Sequence, residues 1–165
     1  MTDSSHTNGT ERVYEASQKL NLKEIDFIIN VQGDEPMISP LDIKNLHSLS
    51  KENDLNISTL AYNITNIKDY KNKNIVKVVT KNKISIKTTE EALNFYRIID
   101  FNNNSNIYHH FGIYLFKFSA LKKFINLQKT KSEISEKLEQ LRAIDNNMKI
   151  NVILANNFSC GIDTK

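Results

Sequence analysis

The chain has 165 residues, the size of a single domain, and no internal repeat or linker divides it. Hydrophobic residues make up 39% and charged residues 25%, and the net charge of +3 comes from scattered lysines; this is the composition of an ordinary soluble protein and excludes the basic stripe that nucleic acid requires. A single cysteine excludes an internal disulfide framework and fits a reducing cytoplasm, no apolar run approaches the ~20 residues of a membrane span, and Met1 to His6 carries no signal-peptide pattern.

Residues 1–12 are polar and turn-like, with a loop from His6 to Thr10 whose backbone amides are free to bind. Thr10 is the expected N-cap of a helix over Glu11 to Leu20, in which Val13, Ala16 and Leu20 recur at helical spacing. Arg12 falls in the first turn, where a cation opposes the helix dipole. Its position points to an anionic partner, either a ligand or an acidic side chain, against the plainer reading of a solvated Arg.

Ile25 to Val31 reads as a buried strand that breaks abruptly into Gln32-Gly-Asp-Glu-Pro36. Pro36 and Pro40 stiffen the loop that follows. Ser39 is the expected N-cap, with Pro40 at N1 and Asp42 near the positive end, of a helix running to about Glu52 with Ile43, Leu46 and Leu49 on one face. His47 reads as a surface or boundary residue of that helix. A strand over Asn56 to Asn63, a polar connection or short helix over Asn66 to Asn74, and a strand over Ile75 to Thr80 come next. Lys81 to Lys83 reads as a hairpin tip and Ile84 to Lys87 as a short return strand.

The pattern of Thr89 to Arg97 is that of a capped helix, and Asn102 to Asn106 that of a polar loop. Ile107 to Phe118 is strongly strand-like. Ser119 can cap a helix to about Leu127, with Leu121, Phe124 and Ile125 inward. Glu133 to Ile144 reads as one amphipathic helix with Ile134, Leu138 and Leu141 inward, and Lys149 to Ala155 as a last strand. Strands and helices alternating over short links predict an α/β domain spanning residues 1–165 with a largely parallel sheet.

A strand ending at Val31 puts Asp34 and Glu35 at its carboxyl end, where ligands bind in open α/β sheets. Two carboxylates on a rigid loop suit a hard cation such as Mg²⁺, which keeps its remaining positions for water and phosphate. The competing reading makes them turn residues that merely cap the strand. All four glycines, Gly9, Gly33, Gly112 and Gly161, lie in the few stretches that suggest tight turns around a site.

Val31-Gln-Gly-Asp-Glu-Pro36 resembles the signature of the 3-deoxy-manno-octulosonate (KDO) cytidylyltransferases. Met1-Thr2 through His6 to Gly9-Thr-Glu-Arg12, His110-Phe-Gly-Ile-Tyr114, Glu136-Lys-Leu-Glu-Gln-Leu-Arg142 and Gly161-Ile-Asp-Thr164 are similar to further stretches of that family, in the same order. The resemblance implies a three-layer, Rossmann-like nucleotidyltransferase fold with a mostly parallel, mixed sheet. The implied reaction joins KDO and CTP to give CMP-KDO and pyrophosphate in the cytoplasm, for lipopolysaccharide synthesis, by a homodimer when full length. Asp34 and Asp163 are then the catalytic carboxylates holding Mg²⁺. Arg12, Gln32, His110, Glu139 and Gln140 would meet the sugar, and Thr2, His6 and Gly9 the cytidine nucleotide. His110, rather than its neighbour His109, is chosen by the motif.

Several positions depart from the family. Ser5 stands for a usual Asp, Asn8 for a Ser and Glu11 for an Asp; Phe95-Tyr-Arg97 matches an aromatic-Ser-Arg strand end only with Tyr96 in place of Ser. That comparison favours a strand over 89–97 and leaves Arg97 doubtful as a sugar contact. No basic Arg/Ser/Pro/Lys loop for the triphosphate is found, and the chain stops where the family has another helix. The resemblance is therefore to a fold truncated at both ends, with little or no activity expected of the 165-residue chain alone. The alternatives are a cytidylyltransferase for another sugar (an acylneuraminate or amino-KDO), a non-catalytic sugar-binding pseudoenzyme, and, more distantly, a metal-dependent glycosyltransferase.

Overall fold

The computed structural model describes residues 1–6, 8–20, 25–33, 35–101 and 106–158. Its strands are β1 (Phe27–Val31), β2 (Ile57–Asn63), β3 (Lys77–Thr80), β4 (Thr89–Tyr96), β5 (Ile107–Lys117) and β6 (Asn151–Leu154). Its helices are α1 (Gly9–Lys19), α2 (Pro40–Glu52), α3 (Phe118–Ile125), α4 (Lys131–Glu136) and α5 (Leu141–Asp145), with a 3-10 turn over Ile67–Lys71. No helix of the described residues is long and apolar enough to cross a membrane.

The strand order is β1-β5-β2-β6-β4-β3, and β3 also pairs with β5, so five of the strands form a closed cycle of pairings with β1 beside it. The α/β class and the mixed sheet agree with the sequence. The expected parallel majority does not: β2–β6 is parallel, while β1–β5, β2–β5, β3–β4, β3–β5 and β4–β6 are antiparallel. The reason is the place of β5. β1 and β2 run the same way, joined by the α2 crossover, but β5 lies between them and antiparallel to both.

Period-two alternation sends the strand side chains to two cores. Ile57, Phe95, Phe116, Leu121, Phe124 and Leu141 belong to one, on the side of α3 and α5. Leu46, Leu60, Phe111, Ile113, Leu115 and Ile153 belong to the other, beneath α2. Both cores are shut by helices, which gives the three layers.

Local boundaries follow the sequence except where distant contacts override it. Asn8, not Thr10, caps α1: its Oδ1 accepts the Glu11 amide at 2.8 Å, Thr10 turns inward, and Leu20 is exposed. Ser39 and the start of α3 make no side-chain cap bond, although Pro40 does begin α2. The return strand is β4, not Ile84–Lys87, and the helix-like pattern of 89–97 forms a strand because β6 and β3 pair with its two halves. The single helix expected over Glu133–Ile144 is broken at Lys137, which takes φ 55°. Arg142 Nε and Nη2 reach Glu133 Oε2 and Oε1 at 2.8 and 2.5 Å. In a straight helix nine residues span about 13.5 Å, too far for that pair. Breaking the helix lets both buried charges meet and leaves Ile134 exposed.

Candidate active site

One edge of β5 is shared end to end by two strands. β1 covers it as far as Val31 opposite Ile113, and β3 begins with Lys77 opposite His109. Between them, His110 to Gly112 lie in a gap bridged by the His110 amide donating to Val76 O at 2.8 Å. A cavity of about 950 Å³ opens at this gap. Its walls come from the start of α1, the end of β1, residues 72–76, β5 and the turn before α5.

Of the residues expected at the sugar, Arg12, Gln32, His110, Glu139 and Gln140 all line this cavity, as does Gly9. They come from α1, the β1 exit, β5 and the α4–α5 break, so only the tertiary fold unites them. Glu139 and Gln140 both reach the cavity because they sit in the turn that follows the break rather than on a continuous helix. Thr2 and His6 are not in the lining. Arg12 instead gathers their segment, donating to Thr2 Oγ1 at 3.5 Å, Asp3 O at 3.1 Å and His6 O at 3.3 Å. The His6 ring contacts the Glu15 carboxylate. The partners of Arg12 among the described residues are thus a hydroxyl and two carbonyls rather than a carboxylate.

Asp34, Asp163 and Gly161 lie outside the described residues. Among those described, no group of three or more His, Cys, Asp or Glu could hold a metal ion. Glu35, beside Asp34 in sequence, is buried and lines the cavity. The glycines are not there for positive φ, which no described glycine adopts. Gly112 serves close approach: a Cβ on it would stand 3.3 Å from Gln32 Oε1, so the bare backbone leaves room for that side chain.

Burial perturbs four of the ionisable groups that line the cavity, His109, His110, Tyr114 and Glu139. His110 is buried, and burial lowers its pKa to about 3, so the ring is neutral. Its Nε2 lies 2.9 Å from Thr59 Oγ1, and that hydroxyl also lies 2.6 Å from Ile113 O. A carbonyl can only accept, so the hydroxyl proton goes to Ile113 and the oxygen accepts from Nε2–H. His110 then presents Nδ1 as an acceptor. His109, pushed down to about 4 by burial, also lines the cavity and packs its ring against Phe111 and Phe158.

Glu139 is the most telling group. Burial raises its pKa to about 7, against a hydrogen bond from Thr10 Oγ1 to Oε2 at 3.1 Å. Asn30 Nδ2 in turn reaches Thr10 Oγ1 at 3.4 Å. Among the described residues Glu139 Oε1 has no partner, and neither does the buried hydroxyl of Tyr114. Both residues line the cavity and the small pocket beneath it. Leaving a buried polar group unsatisfied costs about 1–3 kcal/mol, so these two atoms call for a hydrogen-bonding partner, whether water or ligand. Sequence reasoning passed over Tyr114, Thr10 and Asn30. Tyr114 had a signal, since it stands four residues after His110 on one strand and therefore on the same face.

A mixed sheet under helices on both faces, with a polar cavity at the strand ends, is the architecture of a nucleotidyltransferase. The comparisons agree: the family model described as Cytidylyltransferase matches residues 1–150, and the chain belongs to that family. Within it, the chain belongs with the 3-deoxy-manno-octulosonate cytidylyltransferases. It is 42% identical to the protein of that name from Thermodesulfovibrio yellowstonii over 99% of this chain and 68% of the relative. It is 36% identical to the one from Bartonella bacilliformis, over 99% of this chain and 67% of the relative. A solved CMP:2-keto-3-deoxy-manno-octonic acid synthetase complexed with CTP superposes with a TM-score of 0.84 at 31% identity, over 99% of this chain and 66% of that one. A UTP-bound UGPase from Acinetobacter baumannii, 10% identical over 94% of this chain and 52% of that one with a TM-score of 0.59, shares the fold alone. The chain thus spans about two thirds of the length of its nearer relatives.

Proposed function

We propose that this chain provides the sugar site and part of the nucleotide site for transfer of a cytidylyl group from CTP to the 2-hydroxyl of KDO, giving CMP-KDO and pyrophosphate. The 2-oxygen of the sugar bonds to the α-phosphorus, the bond from that phosphorus to the leaving pyrophosphate breaks, and the hydroxyl proton is lost. Such a transfer depends on positioning and on neutralising charge more than on covalent help from side chains.

The observation that carries this reading is a pair of buried atoms without a partner among the described residues, Tyr114 Oη and Glu139 Oε1, on two residues that line the same cavity as His110. Tyr114 can donate, His110 Nδ1 can accept, and Glu139 near its pKa of about 7 can do either. A ligand fringed with hydroxyls satisfies such a set. Arg12 and Gln32 line the same cavity and can serve as donors for its carboxylate. The family relationship supports the same substrate. Mg²⁺ on Asp34 and Asp163 belongs to the proposal: when bound, it would neutralise the triphosphate and make the attacking hydroxyl more acidic. Thr2 and His6 on the cytidine side, homodimerisation, a cytoplasmic location and a place in lipopolysaccharide synthesis are proposed on the family relationship alone.

Titration calorimetry with KDO tests the reading. Saturable binding is expected, with affinity falling about three- to tenfold in Tyr114→Phe, which removes one ligand hydrogen bond and no packing. Absence of KDO binding, or a Tyr114→Phe variant that binds as well as its parent, would overturn it.

A further inference from the structure

Lys77 is completely buried in β3. Its ammonium donates to the carbonyls of Asn72 at 2.8 Å, Ile75 at 2.6 Å and Arg97. Three donors meet three acceptors, so the group is saturated. No carboxylate forms an ion pair with it among the described residues. A buried cation whose hydrogen-bond partners are all carbonyl dipoles is costly. Burial lowers its pKa to about 8, with Asp69 opposing that shift and Arg97 adding to it.

What the lysine holds in return is specific. Asn72, Ile75 and Arg97 all line the cavity. Arg97 extends the brace across to the next wall: Nε donates to Glu136 O at 2.9 Å, Nη1 to Lys73 O at 3.1 Å and Nη2 to Lys137 O at 3.2 Å. Glu136 and Lys137 open the turn that carries Glu139 and Gln140. Lys77 is therefore the root of a chain of carbonyl clamps running from β3 through Arg97 to the sugar-facing turn.

We propose that Lys77 is a positioning residue: it fixes the Asn72–Val76 wall and, through Arg97, the Glu139–Gln140 turn, and it leaves a positive potential in the cavity for the carboxylate of a sugar acid. The clamp stands on contacts within the chain, whereas the identity of the anion rests on the function proposed above.

Hydrogen exchange on the 165-residue chain separates the two. In Lys77→Met, amides of residues 72–76 and 136–140 are expected to exchange at least about tenfold faster, with those of β2 and α2 unchanged. In Arg97→Met the 136–140 group should accelerate most, because it loses the bonds to Glu136 O and Lys137 O, while the 72–76 group loses only the bond at Lys73 O and should accelerate less than in Lys77→Met. Unchanged exchange at both segments in Lys77→Met would overturn the clamp. KDO affinity in Lys77→Met should fall by about tenfold or more, and by more than the affinity for the uncharged methyl ester of KDO. Equal losses would overturn the electrostatic part. A parent chain that binds neither compound would overturn the proposed function while the exchange data still decide the clamp. Should Lys77→Met fail to fold, acetic anhydride labelling of the parent decides instead: Lys77 is expected to react at least about tenfold more slowly than the exposed Lys44, and equal rates would overturn the clamp.

Discussion

Glu139 and His110 pull the pH dependence of stability in opposite directions. The carboxyl of Glu139 rises from 4.5 to about 7 on folding because burial disfavours its charge. The folded state therefore holds the proton more tightly than the unfolded one, and stability falls as pH rises from about 4.5 to 7. His110 drops from 6.5 to about 3, so the unfolded state holds its proton more tightly and stability rises with pH over about 3 to 6.5. Glu139→Gln removes the first slope and keeps the second. Urea denaturation should show this variant more stable than its parent at pH 8 by about 1–3 kcal/mol, the difference vanishing near pH 4.5. A difference that does not vary with pH would show that the carboxyl is not ionised against its surroundings. The same variant should bind KDO less well, because stability and ligand binding make opposite demands on a buried carboxylate.

The element on which the site depends most is the broken helix of α4 and α5. Thr130 and Glu133 form a capping box at its start, and Glu133 is at the same time the bidentate partner of Arg142. The Arg142 guanidinium also lies over the Phe124 ring, 5.0 Å from its centre. One carboxylate thus accepts the Thr130 amide at the start of α4, neutralises a buried cation and holds α5 at the angle that turns Glu139 and Gln140 into the cavity. Such a pair contributes little net stability over an apolar substitute, yet removing one partner strands the other. Glu133→Gln is expected to lower unfolding stability by about 3 kcal/mol, read by urea denaturation at pH 7. A loss below about 1 kcal/mol would mean that water reaches Arg142 once its partner is neutral.

Across the whole molecule, the layers are tied together by another buried acid. Asp42, in the first turn of α2, is fully enclosed. Its Oδ1 accepts from the Asn156 amide and Nδ2 at 2.9 and 3.0 Å, and its Oδ2 from the Asn157 amide and Nδ2, both at 3.2 Å. This clasp joins the helix after the β1 loop to the chain leaving β6, just before Phe158 packs against Tyr62 and His109 at the cavity rim. Asp42→Ala leaves four donors to find water and should cost about 2–3 kcal/mol by urea denaturation. Asn156 and Asn157 should also become more accessible in exchange measurements. Loss of stability without change in their exchange would place the role of Asp42 in the helix dipole instead.

The sequence by itself determined the α/β class, most element positions and the family, because these rest on local periodicity and on contiguous motifs that survive without knowledge of distant contacts. α2 and its Pro40 start, β1, β2 and β5 all fall within a few residues of their pattern. The residues expected at the sugar, Arg12, Gln32, His110, Glu139 and Gln140, were legible as motif members, and they do line one cavity. What only the tertiary structure decided is non-local. The antiparallel majority follows from β5 inserting between β1 and β2, which no window of sequence contains. The strand Thr89–Tyr96 and the break at Lys137 follow from partners elsewhere in the chain, namely β3 and β6 for the one and Glu133 drawing in Arg142 for the other. The same holds for Lys77 and Tyr114. Their importance lies in which carbonyls the one must satisfy and in the partner the other lacks, and burial alone makes those facts energetically decisive.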